Sequence, residues 1–215
     1  SADSLGLDVD ADSTVTSLSV GHITPVAILS GSSLSGGVTV SAGSLKLSEA
    51  GTLASTVEMS GGVLDAEESS TVSGLLTHSG DIGIDVATGK TLTYSGGTIS
   101  LGANTLTLGG GGSLISGGVT LNNADSKLLL NSITVDNVST SLASLGLDID
   151  ENSTVSSLNI GHTTPVSIAS GKTLTGGITV TAGSIKLDET GTLASTVEMN
   201  GGTLDADESL TISGT

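Results

Sequence analysis

The chain has no cysteine, no phenylalanine and no tryptophan, and a single tyrosine, Tyr94. Arginine is missing too: its five cations are lysines (Lys46, Lys90, Lys127, Lys172, Lys186) against 22 acidic residues, a formal net charge of −17. These absences exclude several classes. A chain so acidic repels nucleic acid and anionic membranes, whose binding needs basic patches. No apolar run approaches the 18 residues of a bilayer-spanning helix, and no leader-type segment is visible. With no cysteine there is no disulfide, so the redox compartment leaves no mark on the sequence. Without large aromatic rings the core must be built from Leu, Val, Ile, Ala and Thr methyls, as a thin layer repeated many times. Only two prolines occur, Pro25 and Pro165, against 32 glycines. That ratio suits many tight corners joined by short strands. The glycines follow no collagen period, and the positive mean hydropathy of +0.32 excludes a disordered linker.

What is present is repetition. Gly51-Thr-Leu-Ala-Ser-Thr-Val-Glu-Met59 returns unchanged as Gly191 to Met199, 140 residues later. The offset holds without a gap in both directions: Gly21-His22 returns as Gly161-His162, and about two-thirds of positions from Ser1 to Leu75 are identical in the second copy. Such a long, gapless period marks an array. Residues 1–140 form a first long repeat and 141–215 part of a second, so the chain reads as a window on a longer polypeptide.

A shorter period lies inside the long one. Pairs of aliphatic residues flank polar corners, as in Val9 to Val15, Ile28 to Leu34, Leu47 to Leu53, Leu64 to Val72 and Val86 to Leu92. Successive corners lie roughly 17 to 22 residues apart, in the range of solenoid repeats. About seven coils of about 20 residues then fill each 140-residue unit. Alternating stretches such as Leu45-Lys46-Leu47, Val57-Glu58-Met59 and Leu106-Thr107-Leu108 have the half-buried strand pattern. Paired glycines (Gly36-Gly37, Gly61-Gly62, Gly96-Gly97, Gly117-Gly118, Gly176-Gly177, Gly201-Gly202) suggest a second kind of corner. Residues around 100–137 are less regular, with a four-glycine run at Gly109 to Gly112, a polar corner at Asn122 to Asp125 and an unbroken Leu128-Leu129-Leu130. Loops or a wider coil are expected there. The fold class is therefore all-β: a parallel β-solenoid with coils of about 20 residues nested in the 140-residue repeat. Each coil cannot bury its own apolar face, but stacking places Leu on Leu and Val on Val.

Phrases such as Ala87-Thr-Gly-Lys-Thr-Leu-Thr-Tyr-Ser-Gly-Gly-Thr-Ile99 and Ser170-Gly-Lys-Thr-Leu-Thr-Gly-Gly-Ile-Thr-Val180 resemble the repeat passengers of bacterial autotransporters and filamentous-haemagglutinin-type adhesins. The resemblance covers nearly the whole chain. It implies a right-handed β-helix, an extracellular or cell-surface location on bacteria, and a role in adhesion, aggregation or filament building. It transfers no catalytic residue.

The candidate chemistry is acidic. Asp8, Asp10 and Asp12 alternate, with Asp148, Asp150 and Asn152 (beside Glu151) as counterparts. Asp65, Glu67 and Glu68 recur as Asp205, Asp207 and Glu208, and Glu49 faces the pair Asp188 and Glu189. Stacked corners would make a carboxylate ridge, and hard oxygen ligands at that density suit Ca²⁺, with Asp8, Asp10, Asp12, Asp148 and Asp150 as ligands. Against this, the corner lacks the glycine and distal glutamate of an EF-hand loop, and no glycine-rich calcium nonapeptide occurs. A solvated acidic edge that blocks lateral aggregation needs no metal. His22 and His162 sit in Gly-His-x-Thr-Pro, and His78 stands alone, with no second ligand at zinc spacing. No Gly-x-Ser-x-Gly elbow supports a serine hydrolase. Carbohydrate cleavage needs paired carboxylates with sugar-contacting aromatics or arginines, which one tyrosine and no arginine do not supply. Thr-x-Thr pairs are too irregular for an ice-binding face and reflect ordinary strand propensity. The expectation is a non-enzymatic structural segment of an extracellular filament, stalk or surface fibre, without a cofactor. It would associate with itself or continue the same array end to end. The alternative is a calcium-assisted adhesin for a glycan or protein receptor; a polysaccharide-acting enzyme ranks third.

Overall fold

The computed structural model describes residues 6–187, 190–206 and 211–214. The fold is a parallel β-solenoid of about 10 turns, about 20 residues apart, with no helix among the described residues. Two compact units are distinguished, Ser1–Ile99 with Gly109–Gly117, and Ser100–Leu108 with Gly118–Thr215. Their division does not follow the 140-residue period.

In the first unit each turn places one strand on a first sheet and a longer strand, or two short ones, on a second. The first sheet stacks Leu7–Val9, Thr24–Ile28, Ser44–Leu47, Val63–Ala66 and Ile82–Val86, all parallel. The second stacks Ser13–Val20 on Ser33–Val40, whose two halves then continue separately. Thr52–Leu53, Ser70–Val72, Thr91–Tyr94 and Ser113–Ile115 follow one half, and Thr56–Met59 and Leu76–His78 the other. The predicted polar corners are the links between the two sheets, for example from Val9 to Ser13 and from Ile28 to Ser33.

Register makes the core. Leu7, Val26, Leu47 and Ala66 lie over one another, as do Leu45, Leu64 and Ile84. All but Leu7 of these are essentially inaccessible. On the second sheet Leu34, Leu53, Val72 and Tyr94 form one ladder. The lone tyrosine is thus a core rung, and its Oη accepts a hydrogen bond from Leu76 N at 3.1 Å. Like-on-like stacking follows from the parallel pairing of equivalent positions. Each buried Leu or Val contributes about 1.5–3 kcal/mol only once a neighbouring turn covers it.

The second unit repeats the pattern. Lys127–Asn131, Gly146–Ile149, Thr164–Ile168, Ser184–Leu187 and Thr203–Ala206 stack on one sheet. Thr134–Thr140, Ser153–Ile160, Thr173–Val180, Thr192–Met199 and Thr211–Ile212 stack on the other. Leu128, Leu147, Val166 and Leu187 form its central ladder.

Two sequence details resolve differently in space. The glycine pairs serve two purposes. Gly61-Gly62 and Gly201-Gly202 link one turn to the next, whereas Gly36-Gly37 and Gly176-Gly177 lie inside the eight-residue strands Ser33–Val40 and Thr173–Val180. There the register shifts against the preceding turn and the first glycine of each pair has positive φ, 113° at Gly36 and 140° at Gly176. The irregular middle keeps its strands, among them Thr105–Gly109, Val119–Leu121 and Lys127–Asn131. The polar corner there widens the turn: Ser126 Oγ donates to Gly102 O, 24 positions back, at 2.6 Å. Leu128 and Leu130 face inward and Leu129 outward, half-buried opposite Asp148.

Candidate functional site

The acidic corners act first as connectors between turns. A strand that begins after a corner has a first N–H that needs an acceptor. Asp12 supplies one: its Oδ1 accepts from both the backbone N and the Oγ of Ser33, each at 2.9 Å. At the equivalent place in the second repeat, Asn152 Oδ1 accepts from Thr173 N at 2.9 Å. Three corners further along the first repeat, Ser69 Oγ accepts from Thr91 N at 3.1 Å. A carboxylate, an amide and a hydroxyl thus serve one geometric purpose, and the corner does not depend on charge.

The other sequence-predicted ligands are dispersed. Asp8 lies in register with Ala27. The carbonyl of Asp10 accepts from Ser32 Oγ at 3.2 Å, while its side chain is exposed, as is Asp150. Asp148 is paired with Lys127 at 2.5 Å. Among the described residues no group of three or more His, Cys, Asp or Glu side chains converges on a point where a cation could sit. Asp188, Glu189, Asp207 and Glu208 lie outside the described residues. Asp12→Asn should leave the unfolding midpoint unchanged, and Asp12→Ala should cost about 1 kcal/mol through the unsatisfied Ser33 N–H. A calcium-dependent midpoint that Asp12→Asn abolishes would instead make Asp12 a metal ligand.

Lysines staple consecutive turns. Lys90 meets Glu68, Lys127 meets Asp148 and Lys172 meets Glu151, each at 2.5 Å, and Lys46 pairs with Glu67. The hydrogen bond that the Lys46 ammonium donates to the Glu67 carboxylate holds its pKa above the ordinary value. These side chains are partly exposed, so each pair contributes about 0.2–1 kcal/mol. Their recurrence at one-turn separation points to alignment of turns.

Asp65 is the perturbed carboxylate. It lies in register between Lys46 and Asp85. Burial is the main force raising its pKa; Lys46 works against the rise, and Glu67 and Asp85 add to it. Because the folded-state pKa stands above the unfolded value, the folded chain holds the Asp65 proton more tightly. Asp65 thus costs nothing at pH below the ordinary carboxylate range. Its cost appears as pH rises through the folded pKa and remains at neutral pH. Asp65→Asn should therefore raise the thermal midpoint at pH 7, with the difference closing as pH is lowered to about 3. Melting curves of both proteins across that range check it.

The histidines occupy corners. The carbonyls of His22 and His162 accept hydrogen bonds from Thr24 and Thr164 Oγ1, at 3.3 and 3.0 Å, and His78 Nδ1 lies 3.3 Å from Gly80 O.

One feature was missed by sequence reasoning. On the outer face of the first unit, Thr39, Glu58 and Thr77 lie side by side on three successive turns, all exposed. A hollow of about 280 Å³ opens there, floored by Met59 and rimmed by Ser60, His78 and Ser79. A second hollow of about 130 Å³, with Ser17, Gly37 and Thr56 in its wall, shares Thr39 and Glu58 with the first. Small residues meeting across turns make the dents. That coincidence depends on register, although the recurrence of Ser17, Gly37, Thr39, Thr56 and Glu58 140 positions later was a usable signal.

Compared with family models, curated proteins and solved structures, the chain matches none.

Proposed function

We propose that this chain is a structural repeat segment of an extracellular filament, stalk or surface fibre on bacteria, in which stacked strands and aliphatic ladders are the functional product. One observation carries the reading. Leu45, Leu64 and Ile84, in register on successive turns, are 0%, 1% and 1% exposed. The nonapeptide ending in Met59 and Met199 is the same in both copies. Rungs of the first copy are covered by the turn that follows: Leu76–His78 lies on Thr56–Met59, and Ile82–Val86 on Val63–Ala66. Aliphatic ladders and parallel backbone pairing that run on from turn to turn suit a chain whose stacked form is itself the product. The acidic surface opposes lateral association and leaves the stacking direction open. No reaction is assigned.

Electron microscopy of native material tests this. Fibres whose repeat matches stacked turns are expected; isolated short particles would count against it. The outer-face hollows favour a second reading, an adhesin whose flank binds a glycan, with the ladder as its support.

A further inference from the structure

We infer that the paired hollows around Glu58 are a binding site for a saccharide bearing free amines. This goes beyond the fibre reading and does not depend on it.

Parallel strands lie about 4.8 Å apart, so Thr39, Glu58 and Thr77 present hydroxyl, carboxylate and hydroxyl at steps about the length of one sugar ring. Further hydroxyls from Ser17 and Thr56 line the hollow on one side of Glu58, and Ser60 and Ser79 the other. Polyol ligands suit such a surface of exchangeable donors and acceptors. Recognition by ring stacking is excluded, because the one aromatic side chain, Tyr94, is buried in the core. Recognition of acidic sugars is disfavoured by the lack of arginine and by the net charge of −17; the same field concentrates cations at the surface. An ammonium group on a hydroxylated ligand meets both conditions, with Glu58 as its counter-ion.

The second repeat supplies an independent comparison. Ser157, Gly177, Thr179, Thr196 and Glu198 reproduce Ser17, Gly37, Thr39, Thr56 and Glu58, and Thr179 again pairs in register with Glu198. There Asn200 Nδ2 donates to Glu198 Oε1 at 3.0 Å. Glu58 has Ser60 in place of Asn200 and lacks that amide partner. The first-repeat site is the more open of the two to an incoming N–H donor. A single exposed ion pair with a few hydroxyl contacts binds weakly, so such a site serves by multiplicity along an array.

The test is a nuclear magnetic resonance titration of the whole chain at physiological salt with a short β-1,4-linked glucosamine oligomer, and in parallel with its fully N-acetylated form. Amide shifts confined to Thr39, Glu58, Thr77 and their neighbours are expected with the free amine alone. Glu58→Gln should weaken binding about three-fold, the size of one exposed ion pair. Glu49→Gln, which removes the same charge at an exposed corner, should leave affinity unchanged. Four results would overturn the inference: no shifts at all, shifts spread over the acidic corners, equal weakening by both variants, or equal binding of the acetylated form. Unchanged circular dichroism of both variants separates lost binding from lost fold, and none of these results bears on fibre formation.

Discussion

Gly176→Ala is expected to destabilise the second unit by about 3 kcal/mol or more. Gly176 sits at the bend inside Thr173–Val180 with φ of 140°, and a Cβ there would lie 1.7 Å from the carbonyl oxygen of Val155 in the preceding turn. The left-handed backbone alone costs about 1–2 kcal/mol for a residue with a side chain. The clash adds to it, because the obstacle is backbone held in the strand ladder and cannot rotate away. Gly171→Ala is the control. Its φ of 76° is also positive, but its Cβ would meet nothing within 4 Å, so the conformational cost of about 1 kcal/mol should stand alone. Gly36 repeats the arrangement in the first unit, with Val15 O at 1.8 Å. In the following turn Ser195, in register with Gly176, occupies the bend with its buried Oγ donating to Leu174 O at 3.4 Å. Ser55 does the same toward Leu34 O at 3.2 Å. Chemical unfolding followed by circular dichroism measures the difference. Equal midpoints for Gly176→Ala and Gly171→Ala would show that the bend is not fixed by this contact.

Leu64→Ala should cost about 2–5 kcal/mol, the range for emptying a packed aliphatic site, while Leu204→Ala should cost about 1 kcal/mol or less. The two leucines occupy the same place in the repeat. Leu64 is enclosed between Leu45 and Ile84, whereas Leu204 lies on Ile185 and is 40% exposed. Truncating Leu64 opens a cavity that rigid neighbours cannot fill; truncating Leu204 removes atoms already half in water. Unfolding of an array need not be all-or-none, so hydrogen exchange should accompany the melts. Amides of Val63–Ala66 are expected to lose protection in Leu64→Ala, with those of Thr203–Ala206 little changed in Leu204→Ala. Equal losses would mean that burial by the next turn is not what stabilises a rung.

Much of this architecture was legible from residue spacing. Alternation at Leu45-Lys46-Leu47 and at Val57-Glu58-Met59 identifies half-buried strands because side chains on a strand point to opposite faces in turn. Corners such as Ile28 to Leu34 are legible because polar and glycine residues there interrupt the apolar rhythm. The acidic residues were legible as a surface, but the groups they meet across a turn were not. Asp12 accepts from the Ser33 N–H across the turn, as Asn152 accepts from the Thr173 N–H without charge, and neither partner is visible in the spacing. Spacing in sequence does not say which groups meet one turn away.

The sequence by itself determined that this chain coils, since a fixed period of aliphatic pairs and turn residues admits few other ways to bury its apolar faces. The tertiary structure alone decided how each segment is used: Gly36 a bend within a strand and Gly62 a link between turns, Glu58 set between two hollows. The physical reason is that burial, register and surface relief here are relations between successive turns, and identical segments differ once their neighbours do.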